Sequence, residues 1–130
     1  MFSHIVLGTN HFDQALGFYR PLMKLLERPE RFCDPTIPWA GWETAPGARP
    51  LLVIGRPWDQ REASAGNGQV VALLSPNRGI VEQAYILALQ NGGIDEGAPG
   101  LRPHYHANYY GAYFRDLDGN KLCVVCHQPY

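Results

Sequence analysis

Two imidazoles one residue apart, in the run His104-Tyr105-His106, are the densest pair of potential metal or acid–base groups in the chain. In an extended segment they alternate onto one side, where they could share a cation or face a ligand, with Tyr109, Tyr110 and Tyr113 close behind. A cation shared this way needs further ligands at set spacing, and none follow. The loop therefore reads as a lid whose His104, Tyr105, His106 and Tyr113 side chains contact a ligand, or as a proline-stiffened cover over a sheet edge. His4 stands in an extended apolar run, Phe2 to Gly8, where it could bond a ligand, exchange a proton near neutral pH, or simply line a pocket. Cys123 and Cys126 make a C-x-x-C, but the β-branched run around them reads as strand, and strand positions three apart point to opposite faces. Neither a redox pair nor a zinc knuckle follows from that, which leaves Cys123 as a soft ligand, a nucleophile or a buried inert thiol. Arg102 and Arg115 are candidate anion partners.

These groups need elements to hold them. After the first strand, Asn10 and Asp13 offer helix-start chemistry, and Phe12, Leu16, Tyr19, Met23 and Leu26 step by threes and fours along one apolar face. Pro21 should kink that helix. Prolines then punctuate short strands up to Gly55, with Leu51 to Ile54 the clearest, and Arg56 to Asn67 is polar and linker-like. Val70 to Leu74 opens a second strand, Ser75-Pro76-Asn77 supplies cap residues, and Ile80, Val81, Ala84, Tyr85, Leu87 and Ala88 form a second helical stripe ended by Asn91-Gly92-Gly93. A Gly- and Pro-rich loop leads to Tyr109–Asp116, a turn at Asp118-Gly119-Asn120, and a last strand from Lys121 to Val125. Phe18, Tyr19 and Tyr85 belong to core packing.

The two halves repeat. An offset of 66 (70 minus 4) lays His4–Tyr19 on Val70–Tyr85, and an offset of 72 (119 minus 47) lays the Ala45-Pro46-Gly47 turn on Leu117-Asp118-Gly119 and Leu51 on Cys123. The chain reads as a single α+β domain of two β-α-β-β-β modules, 1–57 and 68–130, joined by a linker at 58–67 and packed around a shared concavity.

Composition sets the limits. The chain has 130 residues, 45% hydrophobic and 18% charged, with 11 basic against 12 acidic side chains and a formal charge of -1. That balance suits a globular core and lacks the basic footprint of a nucleic-acid or anionic-membrane binder. No apolar run approaches the ~20 residues of a membrane span. Three cysteines, an odd number, fit a reducing compartment such as the cytoplasm better than a disulfide framework.

The duplicated unit, the opening His-Ile-Val-Leu-Gly with its helix carrying Phe18-Tyr19, and the closing Phe114-Arg115-Asp116-Leu117-Asp118-Gly119-Asn120 resemble the vicinal oxygen chelate superfamily. That group includes glyoxalase I, extradiol dioxygenases, fosfomycin-resistance enzymes and bleomycin-resistance proteins. Leu117 stands where a proline is usual. The segment Gly97 to His106, followed by Tyr109-Tyr110-Gly111-Ala112, also resembles a bacterial glyoxalase-family subgroup. The resemblance implies an eight-stranded mixed-sheet cup with the site inside it, and a divalent metal held from the first and last strand of each module. The overlay puts His4, Leu51, Val70 and Cys123 at those four places, and neither Leu nor Val can bind a cation.

Two functional readings follow. In one, the protein binds a partly apolar, neutral small molecule in the cup, without cofactor or metal, using His4, Leu51, Val70, His104, Tyr105, His106, Tyr113 and Cys123. In the other, Zn, Ni, Mn or Fe supports lyase, isomerase or dioxygenase chemistry on a substrate with vicinal oxygens. A homodimer is expected because curved sheets of this size leave open edges and apolar patches.

Overall fold

The computed structural model describes residues 1–130. The first module runs β1 (His4–Gly8), α1 (Phe12–Leu25), β2 (Glu30–Asp34), β3 (Trp39–Glu43) and β4 (Leu51–Gly55). The second runs β5 (Val71–Leu74), α2 (Arg78–Gln90), β6 (Ile94–Leu101), β7 (Tyr110–Arg115) and β8 (Lys121–Cys126). Each module folds its own four-stranded mixed sheet, ordered β1-β4-β3-β2 and β5-β8-β7-β6, in which the first strand runs parallel to the last and the other pairs are antiparallel. The expected α+β architecture of two like modules is therefore present, built as two four-stranded sheets.

Alternation along the strands divides each sheet into two faces. In β1, Ile5 and Leu7 pack on the core while His4 and Val6 are exposed. In β8, Leu122, Val124 and Cys126 join the core, and Lys121, Cys123 and Val125 take the opposite face. Cys123 and Cys126 thus lie on different faces as free thiols. One core takes in both modules and both helices: Phe18 meets Phe114 edge-on at 6.1 Å across the modules, and Tyr19 meets Trp42 at 6.1 Å within the first.

Several local expectations change. Asn77 caps α2, its side chain accepting from the Ile80 N–H at 2.9 Å. Asn10 does not cap α1, whose N-cap is His11 without a side-chain bond. Its amide instead pins the linker, accepting from the Ala63 N–H at 2.6 Å and donating to the Ala63 carbonyl at 3.1 Å. Pro21 sits inside a helix that runs on through it. The Gly- and Pro-rich stretch 94–101 is a strand with two register irregularities, at Asp95/Gly97 and Gly97/Gly100, instead of a loop.

The register also corrects the internal repeat. The Thr9 N–H bonds the Gly55 carbonyl, and in the second module the Ser75 N–H bonds the Val125 carbonyl. Thr9 to Ser75 is the offset of 66 already read; Gly55 to Val125 is an offset of 70 (125 minus 55), not 72. The β3–β4 connection is two residues longer than the β7–β8 turn, seven residues (44–50) against five (116–120), so an overlay anchored on the turns overshoots by two. Leu51 therefore corresponds to Lys121, and Cys123 corresponds to Val53.

Candidate functional site

In the first module the inner face of the sheet holds a cavity of about 320 Å³ lined by His4, Arg31, Phe32, Trp39, Arg49, Leu51 and Val53. Parallel pairing sets His4 beside Leu51 and Val6 beside Val53, so the imidazole stands over an aliphatic floor. Leu51 and Val53 are buried, at 5% and 4% exposure. Phe32 and Trp39 form the wall, their rings edge to face at 4.8 Å. Phe32 can lie flat there because position 41 is glycine: a Cβ on Gly41 would come within 2.5 Å of the Phe32 ring. The Ser3 hydroxyl bonds His4 Nδ1 at 2.9 Å, which leaves Nε2 free of protein partners.

In the second module Cys123, paired with Tyr113 across β7–β8 and beside Ala72 of β5, marks the corresponding inner face. The Tyr109 and Tyr113 hydroxyls lie 2.8 Å apart, and Tyr109 Oη is 3.6 Å from Cys123 Sγ. Burial pushes the Cys123 thiol up, more than its hydrogen bonds to the two phenols pull it down. Burial, then the bond from Tyr109, also raises the Tyr113 phenol well above its usual value. The cluster is thus a set of neutral hydroxyl and thiol groups at neutral pH, suited to donating hydrogen bonds and not to nucleophilic attack. Two cations lie over the Tyr113 ring: the Arg102 guanidinium and the Lys121 ammonium, each 5.6 Å from its centre.

The His104-Tyr105-His106 segment is a series of turns, so the two imidazoles do not share a side as an extended run would place them. His104 packs on Tyr105, and Tyr105 on Tyr109, with ring centres 4.3 and 4.7 Å apart. His106 pairs instead with His127, a residue the sequence did not single out, with His106 Nε2 2.8 Å from His127 Nδ1. The Asn108 N–H donates to His106 Nδ1 at 3.1 Å. That acceptor role leaves the proton of a neutral His106 on Nε2, which donates to His127. The pair ties the loop to the chain beyond β8.

The site residues inferred from sequence fall into three groups. His4 and Leu51 share the first cavity; Tyr113 and Cys123 share the phenol cluster; His104, Tyr105 and His106 form the aromatic loop beside it. Val70 is 44% exposed and lies outside the cavity that holds His4. His4 and Cys123 are not brought together in one cavity: His4 stands with Leu51 in the first module, and Cys123 with Tyr109 and Tyr113 in the second. No three His, Cys, Asp or Glu side chains gather in metal-binding geometry. With the repeat corrected, the four positions at which a metal was implied hold His4, Leu51, Val70 and Lys121: one donor, two hydrocarbons and an ammonium. That set does not fit a divalent cation. Arg115 is occupied by Glu96 at 2.5 Å and the Gly119 carbonyl at 2.8 Å. Sequence reasoning missed Arg31, Phe32, Trp39 and Arg49, because only the β2–β3–β4 pairing turns them toward His4; the Trp39/Gly41 alternation was the one readable hint.

No family model matches the chain, and no curated protein matches it significantly in sequence. Solved structures do. A glyoxalase/bleomycin resistance protein from Albidiferax ferrireducens T118 is 27% identical, with 97% of this chain and 98% of that one covered at a TM-score of 0.86. A glyoxalase-related enzyme from Fulvimarina pelagi superposes with a TM-score of 0.74 at 14% identity, covering 97% of this chain and 87% of its own. Lactoylglutathione lyase from Agrobacterium tumefaciens does so with a TM-score of 0.65 at 17% identity, covering 97% and 92%.

Proposed function

We propose that the chain, which shares its fold with glyoxalase/bleomycin resistance proteins, is a metal-independent small-molecule-binding protein. The reading rests on one observation: the positions from which a metal would be held carry His4, Leu51, Val70 and Lys121, while the face that carries His4 and Leu51 keeps a cavity of about 320 Å³ with an aliphatic floor and an aromatic wall. A lone imidazole with no second metal-ligating side chain in its cavity cannot hold a cation to polarise vicinal oxygens, whereas a hydrocarbon floor with a few polar groups at its rim is the composition of a binding pocket. His4 orients the ligand, and the hydroxyls of Tyr109 and Tyr113 offer donors on the second inner face. Metal analysis of protein purified without chelator tests this. Substoichiometric Zn, Ni, Mn and Fe is expected, with ligand binding unchanged by chelator; stoichiometric metal lost in His4→Ala overturns it.

The protein acts as a homodimer in this reading, in a reducing compartment such as the cytoplasm, with its three thiols free. The edge strands β1 and β5, with Val70 just ahead of β5, leave Val6 57%, Val70 44% and Leu74 71% exposed, apolar side chains that a second copy would cover. Light scattering on a sizing column should give a dimer at micromolar concentration. A monomer would refute the assembly.

A further inference from the structure

We infer that the ligand of the first-module cavity is an anion carrying a flat aromatic ring, not the neutral molecule that the near-zero net charge suggested; the inference rests on the binding-protein reading above and names its ligand class. The cations carry the first half. Arg31 and Arg49 line the cavity, and neither has an ion-pair partner: the chain's two ion pairs are Arg20–Glu30 and Arg115–Glu96. Two acids share this face of the sheet in register, Asp34 opposite Trp39 and Glu43 opposite Leu51. Asp34 is turned to Thr36, accepting from its N–H at 3.0 Å and its hydroxyl at 2.6 Å, and neither acid lines the cavity. In a chain with 11 basic and 12 acidic residues, a pocket with two guanidinium groups, one imidazole and no carboxylate is a separation of charge, not an average surface. Guanidinium forks match carboxylate oxygens two by two. The second inner face repeats the sign, with Arg102 and Lys121 over Tyr113.

The aromatic half comes from the wall. Trp39 is 43% exposed, though it sits in a strand and packs against Phe32, so its indole is presented to the cavity mouth. An aromatic ring lying on that surface between the two arginines would stack, cover Leu51 and Val53, and carry its charge to the rim.

Calorimetry with 2-naphthoate, 2-naphthamide and decahydronaphthalene-2-carboxylate on the wild-type chain tests charge and ring, and two variants whose circular dichroism matches the wild type locate the site. Naphthoate should bind about tenfold or more tightly than the neutral amide, more tightly than the saturated acid, and less tightly as salt is raised. In the exposed double variant Arg31→Gln/Arg49→Gln the acid-to-amide ratio should fall toward one, and Trp39→Ala should weaken both aromatic probes. Equal affinity for acid and amide, both weakened by Trp39→Ala, overturns the anion assignment and leaves the site standing. Equal affinity for the aromatic and saturated acids overturns the ring. Binding of none of the three, or binding indifferent to Trp39→Ala, overturns both this inference and the binding-site reading.

Discussion

Asp116 is 2% exposed and surrounded by donors. It accepts from the Tyr19 hydroxyl at 2.5 Å, from the N–H groups of Asp118 and Asn120 at 2.9 Å each, and from Asn120 Nδ2 at 2.9 Å. Burial first, then the Asp116 charge, holds the Tyr19 phenol well above its usual value, so it serves as a permanent donor. Asn120 Nδ2 also reaches the Gly8 carbonyl at 3.0 Å, and Asp118 takes the Asn10 N–H at 2.8 Å. The Asp-x-Asp-Gly-Asn turn is thus the latch between the modules, and its polar side chains serve structure, not ligand. Tyr19→Phe removes one donor from a buried charge and should cost about 1–3 kcal/mol, read as a lower urea midpoint with unchanged slope.

At the scale of elements, the two modules solve helix entry differently. α2 uses its own cap, Asn77, whereas α1 leaves its start uncapped and gives Asn10 to the linker. The reason is topological: the segment after β4 must cross back past β1 to reach β5, and two hydrogen bonds at Ala63 fix it there. A Cβ on Gly8 would meet the Ala63 Cβ at 2.9 Å, so the close approach depends on that glycine. Asn10→Ala should free the linker while leaving both sheets intact. Limited trypsin digestion at the exposed Arg61 should then be faster than in the wild type, with unchanged circular dichroism; equal cleavage rates would show that the linker is held by other contacts.

For the molecule as a whole, four acids are held above their ordinary values chiefly by burial: Tyr19, Tyr109, Tyr113 and Cys123. The folded chain keeps these protons more tightly than the unfolded one. Their contribution to stability is complete below the unfolded values, about 8.5 for a thiol and about 10 for a phenol, and is lost as pH climbs through that range toward the raised folded values. The melting temperature should therefore fall between pH 8 and pH 10.5. A Tyr19→Phe chain, less stable at pH 8, should lose less over the same interval. An unchanged melting temperature across that range in the wild type would contradict the burial of these groups.

Hydrophobic periodicity and the internal repeat determined both helices and most of the strands, because strand alternation and helical stripes are local consequences of side-chain burial, whereas β6, rich in Gly and Pro, read as a loop. The face of each side chain in β1 and β8 was legible for the same reason, as was the separation of Cys123 from Cys126. Pairing register was not legible, since two loops of different length hide a two-residue slip that keeps every side chain on its face while changing its neighbour. That slip is why Lys121, and not Cys123, stands opposite Leu51 in the repeat. Only the tertiary structure brought Arg31, Phe32, Trp39 and Arg49 around His4, and His127 to His106. These contacts join residues far apart in sequence through strand pairing and chain reversal, and no local propensity encodes them.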